Sequence, residues 1–213
     1  MSDTRSGFRL PRALVRPDDD QALAYLRAYY APELRYTGSA FDTWDSTGTR
    51  HADRDRFTAD DIVAVKLLSI DVPARAAHAL LATRAEEFSD LLRELGPDRD
   101  LVNEPPIDST YVGWKIMGAL RDLDGVGATT ASKLLARKRP RLRPIWDSVV
   151  TKVTNTHNNQ WEPVRAALHE ETPDGTRLHD RLVRLHSEAA LDAAVSPLRV
   201  LDVIAWMEGT AAK

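Results

Sequence analysis

"LDGVGATTASKLLARKRPRLRPIWDSVV", Leu123 to Val150, is the stretch from which the rest of the chain is read. A glycine-bracketed turn opens it and a small-residue helix follows. Five cations then fall within the seven residues 137–143, and a lone acid, Asp147, closes the stretch. In Asp124-Gly125-Val126-Gly127 the glycines supply backbone freedom and, lacking side chains, let another backbone come close. The turn predicts a hairpin of two helices over about 120–135, locked by Leu120, Leu123, Val126, Ala131, Leu134 and Leu135, with Thr129, Thr130 and Lys133 toward solvent. Amides at such a turn and at the start of the following helix suit a phosphate. Gly-x-Gly alone is equally compatible with a plain helix–helix corner. Asp147 before Ser-Val-Val reads as a helix N-cap as readily as a catalytic acid, and one residue can be both.

Outside this stretch the composition is that of a soluble globular protein. At 213 residues and 43% hydrophobic, the chain is long enough to bury a real core as one globular unit, 1–213. The start, "MSDTRSGFRL", lacks the apolar core of a signal peptide, and no apolar run approaches spanning length, so a cytoplasmic monomer with no membrane partner is expected. The absence of cysteine excludes disulfides, a thiolate nucleophile and cysteine-held iron–sulfur or zinc. Any catalysis therefore uses carboxylates, histidines, hydroxyls or lysines. A formal charge of -3 announces no nucleic-acid partner globally, so local distribution matters: acid gathers at 18–20, while "RKRPRLR" at 137–143 is densely basic. Such a run also reads as a solvated helix end.

Along the chain, helix follows helix, and the class is mainly α. Acids open a helix at 18–30, and a Thr-x-x-Asp capping box at Thr58 opens a buried one over about 59–69. A helix begins with Pro73 at its first position and runs to Leu95, and another follows a cap at Asp108 or Ser109. Further helices are predicted at roughly 147–156, 160–171, 174–192 and 197–208, the last with Leu198, Leu201 and Ile204 on one face and Gly209 as its stop. The segment 35–56 has turn residues, charge and aromatics without helical period, so it reads as loop with room for a short hairpin. His179 and His186 lie two turns apart on one helix, too far to chelate one ion unaided, and no metal site is assigned.

The pattern Leu-x-x-Leu-x-Gly-Val-Gly-x-x-x-Ala-x-x-Leu-Leu resembles the DNA-binding helix-hairpin-helix motif. The interval from Gly125 through "ATTASKLLARKRPRLRPIWD" to Asp147 is similar to that of the endonuclease III-like helix-hairpin-helix DNA glycosylases, in which an acid opens a later helix. "AVKLLSID" (64–71) resembles the segment that ends in that family's base-gap wedge, although Asp71 replaces the usual glutamine. Thr129 stands where bifunctional members carry the Schiff-base lysine, so the resemblance implies a monofunctional enzyme.

The resemblance implies a two-lobed helical fold, with one lobe at about 58–139 and the other formed by 1–57 plus 140–213, and double-stranded DNA in the cleft between them. Gly125, Val126, Gly127, Thr129, Thr130, Lys133, Arg137, Lys138, Arg139, Arg141 and Arg143 would meet the DNA backbone. Asp147 would stabilise the cationic sugar as the base–sugar bond breaks. Tyr36, Phe41, Asp42, Trp44 and Trp146 are the candidates for a pocket holding the extruded base. No cofactor is implied beyond a cation at the hairpin carbonyls. Two other readings stand beside the enzyme: a non-catalytic helix-hairpin-helix DNA-binding module in which Asp147 only caps, and a helical protein-interaction domain.

Overall fold

The three- and four-residue spacing of apolar side chains resolves into a helical protein in the computed structural model, which describes residues 7–156 and 160–211. Among the described residues there are eleven α-helices: α1 (Arg12–Val15), α2 (Asp20–Tyr29), α3 (Ala59–Leu67), α4 (Ala74–His78), α5 (Ala85–Leu95), α6 (Gly113–Arg121), α7 (Ala128–Lys138), α8 (Ser148–Thr154), α9 (Trp161–His169), α10 (Leu178–Glu188) and α11 (Pro197–Ala211). Among the same residues β pairing is confined to an isolated bridge between Glu171 and Arg177. No helix among them is long and apolar enough to cross a membrane.

One connected core runs from Ala13 to Met207. Its axis is α11, which packs against α8, α2 and α10. Leu198, Leu201 and Ile204 are buried as their spacing predicts, and so are Val200, Val203 and Ala205, because the helix is enclosed on several sides. Gly209 does not stop α11 but lies inside it: an added Cβ would sit 2.4 Å from Val149 Cγ1, so the glycine lets α8 and α11 approach. In α7, Ala131, Leu134 and Leu135 face the core with Leu120, Leu123 and Val126 as expected. The helix lies against both α6 and α3. This second contact overturns the solvent-facing placement of Thr130 and Lys133, which are buried.

Four boundaries differ from the sequence reading for local reasons. The segment 35–56 forms no hairpin but a 3-10 turn at Thr37–Ala40 and a series of turns. Its polar side chains satisfy the backbone that a strand ladder would have used. The principal anchor is Asp60, which accepts from Ser46 Oγ at 2.6 Å, Trp44 Nε1 at 3.0 Å and Thr47 N at 3.2 Å. The Ser46 hydroxyl, with the Thr47 amide and the Trp44 indole, holds its carboxyl down to about 2. The helix expected from Pro73 to Leu95 is divided at a π turn, Ala79–Thr83, where Arg84 leaves helical geometry and its guanidinium turns to Glu87 at 2.6 Å. Asp108 spends its carboxylate on the Thr110 amide at 2.8 Å, so α6 begins only at Gly113. Asp174 likewise closes a turn with Thr172 and Thr176, delaying α10 to Leu178.

Candidate functional site

The basic run is the first feature the structure reassigns. Arg137, Lys138, Arg139 and Arg143 are buried. Asp61, the residue that completes the capping box of α3, receives Arg137 Nε at 3.3 Å and Lys138 Nζ at 2.6 Å. Arg137 also donates to the carbonyls of Phe41 (2.6 Å) and Trp44, tying the 41–44 loop to α7. Arg139 fans onto the carbonyls of Gly96 (2.6 Å), Arg54 (2.8 Å) and Leu92 (2.8 Å) and pairs with Asp55. The Arg143 guanidinium lies 3.8 Å from the ring centroid of Trp161. Burial pushes the Lys138 amine and the Arg137 guanidinium down, with Asp61 pulling both back up. The expectation that these four side chains meet phosphates is therefore corrected: a cation taken out of water needs partners, and for Arg137, Lys138 and Arg139 they come from the protein itself, while Arg143 lies on Trp161 with its Nε and Nη1 buried and without a hydrogen-bond partner. Arg141 alone of the five is exposed, and it pairs with Asp100. An open groove of about 720 Å³ does reach Arg137, Lys138 and Arg141, with Arg50, His51 and Arg54, but Asp45, Asp98 and Asp192 share its walls.

The glycine turn joins α6 to α7 with its tip outward. Gly125 has φ +76°, and a Cβ there would meet Pro73 Cγ at 2.8 Å, so conformation and packing both require glycine. Gly127 is the N-cap of α7, and a Cβ on it would face open space. The first amides of α7 have no carbonyl within the helix to bond. Val126 anchors the turn in the core, Thr129 is half-buried, and the acids Asp122 and Asp124 are exposed at the same tip.

Asp147 stands where the stretch ends, and its Oδ1 accepts from Val149 N at 2.8 Å, so it caps α8. Its Oδ2 is 3.6 Å from Lys133 Nζ, which also donates to Leu68 O at 3.1 Å. Both side chains line a cleft of about 400 Å³ with Arg199 and Asp202 of α11. Burial pushes the Lys133 amine down, opposed by the negative charges of Asp147 and Asp202. Burial raises the Asp202 carboxyl to about 6, with Asp147 adding to the shift and Arg199 opposing it. Asp202 Oδ2 accepts from Arg199 Nη1, whereas Oδ1 is buried without a hydrogen-bond partner. Behind it, Arg199 Nε reaches Asp42 Oδ2 at 3.1 Å and Arg199 Nη2 reaches the Tyr29 hydroxyl at 2.8 Å.

Of the five pocket candidates, Tyr36 alone lines this cleft. Its ring stacks on Tyr29 at 5.4 Å and meets Trp206 edge-on at 5.6 Å, giving an aromatic wall. Phe41 is in the core at 2% exposure beneath Arg137 and Arg199, and Asp42, at 1%, is the internal counter-ion of Arg199. Trp44 is held by Asp60 away from the cleft. Trp146 is half-buried, its amide bonded to Ser132 Oγ at 2.9 Å, and is not among the residues around the cleft. Sequence reasoning missed Tyr29, Arg199, Asp202 and Trp206. The signal available was in α11, where Arg199 and Asp202 interrupt a helix otherwise apolar almost all round, a pattern that marks buried charge. Among the described residues no group of three or more histidines and acids is arranged to hold a metal ion.

Residues 22–209 match the family of unknown function DUF6308, and the chain belongs to that family. No curated protein and no solved structure matches it.

Proposed function

We propose that this DUF6308 chain is a monofunctional hydrolase of N-glycosidic bonds in double-stranded DNA, a base-excision glycosylase in which Asp147 stabilises the sugar as it becomes cationic. The observation that carries the reading is Asp147 itself, fixed by its cap on α8 at the wall of the cleft beside Lys133. Breaking a base–sugar bond builds positive charge on the sugar, and a preorganised carboxylate in a partly dry site stabilises that charge more than water does. A cleft of about 400 Å³ falls within the range of small-molecule sites and suits one extruded nucleoside against the wall of Tyr36, Tyr29 and Trp206. The exposed tip at Gly127 and the first amides of α7 support contact with a phosphate, replacing the buried arginines in that role.

Asn caps a helix about as well as Asp but carries no charge. In a base-release assay on a panel of lesion-bearing duplexes, Asp147→Asn is therefore expected to lower release by at least about a hundredfold while duplex affinity stays level. With Thr129 at the position of the lyase lysine, the product strand is expected to keep an intact abasic site. A covalent adduct trapped by borohydride would contradict that, and the geometry would name Lys133 rather than Lys115, which is on the surface paired with Glu94. Tight duplex binding with no base released from any substrate would leave Asp147 as a cap only and the chain as a DNA-binding module.

A further inference from the structure

We infer that Asp202 is the proton donor to the departing base, the second carboxyl group of the cleft whose first is Asp147; this rests on the glycosylase reading above. Nothing in the spacing around the glycine turn points to Asp202, which lies on α11, far along the chain. Its side chain is 7% exposed and lines the cleft together with Asp147 and Lys133.

The charged and titratable groups that share the cleft with it are Arg199 on its own helix, Lys133 from α7, Asp147 at the start of α8, Tyr29 from α2, and Arg35 and Tyr36 from the segment after α2. Asp42 and Arg143 face it across a void of about 10 Å³, room for one water. Arg199 serves Oδ2 only, so the proton of a neutral carboxyl sits on Oδ1, the oxygen with no acceptor in the protein. Burial and the Asp147 charge hold Asp202 protonated to about pH 6, while Asp147 is anchored by the Val149 amide and faces Lys133. Two carboxyl groups in one cleft, one of them raised by burial, are an arrangement that suits acid-assisted glycosidic cleavage.

The step balances without any further reactant. The C1′–N bond breaks and its electron pair leaves with the base, whose nitrogen takes the Asp202 proton. Water bonds C1′ and gives its proton to Asp147, and both carboxyl groups return to their starting states by exchange with water in the open cleft.

Two duplexes separate this role from that of Asp147: one bearing a neutral damaged purine, which needs a proton to leave, and one bearing 7-methylguanine, which leaves already cationic. Asp202→Asn is expected to lower neutral-purine release by at least about a hundredfold and 7-methylguanine release by no more than a few fold, whereas Asp147→Asn lowers both. In the wild type, neutral-purine release falls as pH rises above about 6 and 7-methylguanine release does not. Carboxyl carbon NMR of the wild type, which requires no variant to fold, is expected to show Asp202 titrating well above the ordinary aspartate range, and lower in Asp147→Asn. The inference is overturned alone if Asp202→Asn reduces both substrates equally or neither, or if Asp202 titrates as an ordinary aspartate. A wild type inert on both duplexes overturns the glycosylase reading and the inference with it.

Discussion

Helix α7 serves two buried charge clusters that differ in one respect. At its C-terminal end, Arg137 and Lys138 close on Asp61, and Arg139 just beyond fans onto four carbonyls and Asp55; all three guanidinium nitrogens of Arg137 and of Arg139 are bonded. One turn earlier, Lys133 faces Asp147 across the cleft, and behind them Arg199 bridges Asp42 and Asp202, each of which keeps one buried oxygen without a partner. The first cluster is complete and joins α7, α3 and the 41–55 segment. The second is incomplete and borders open space. Burial is common to both clusters; what separates them is completeness of partners, and an unmet buried polar atom at the edge of a cleft is a place where a ligand has something to gain.

The largest expected effect breaks the complete cluster. Asp61→Ala removes the shared counter-ion of two buried cations and one arm of the capping box, so unfolding free energy should drop by about 3–5 kcal/mol in urea denaturation. A loss under about 1 kcal/mol would mean that the cluster is not holding α7 to α3.

A smaller effect, of characteristic sign, belongs to the incomplete cluster. Asp202 is raised to about 6 in the folded protein, so the folded state binds the extra proton and this contribution to stability is lost as pH rises from about 4 to about 6. Asp202→Asn should flatten that decline by on the order of 2 kcal/mol, measured as the difference in pH dependence from the wild type. Asp98, raised to about 6 by burial, contributes the same slope to both proteins and cancels. Asp60 behaves oppositely: held down to about 2, it contributes stability above the ordinary aspartate value that is lost as pH falls toward 2. If Asp202→Asn leaves the decline unchanged, the carboxyl is not proton-holding.

The smallest effect lies on the surface. Arg141→Ala removes an exposed pair with Asp100 and should cost less than about 1 kcal/mol of stability. Among the five cations at 137–143 it is the exposed one, so its loss should also reduce the salt slope of duplex binding by about one unit at most.

Much of the helical frame was legible in the sequence because it depends on local spacing. The inward face of α7, Leu134 and Leu135, and that of α11, Leu198, Leu201 and Ile204, follow from apolar residues three and four apart. The capping box at Thr58 was equally legible, with Asp61 Oδ2 receiving the Thr58 amide at 2.8 Å. What local spacing could not carry was the second duty of Asp61, whose partner Arg137 lies 76 residues away. Without that pairing, a basic run after a helix reads as solvated. Trp44 was misassigned in the same way, since Asp60, which fixes its indole, belongs to the following helix. In the cleft, Asp147 and Lys133 were singled out by the stretch they share, while Asp202 enters from the last helix, and only packing brings it to them.

The central claim is that the Asp147 carboxylate faces a sugar that becomes cationic. The most direct measurement compares wild-type and Asp147→Asn affinities for two otherwise identical duplexes, one carrying a cationic pyrrolidine abasic-site analogue and one a neutral tetrahydrofuran analogue. The wild type should prefer the cationic analogue by at least about tenfold, equivalent to about 1.4 kcal/mol, and Asp147→Asn should bind the two equally. Equal binding of both analogues by the wild type, or a preference that survives in Asp147→Asn, would contradict the account.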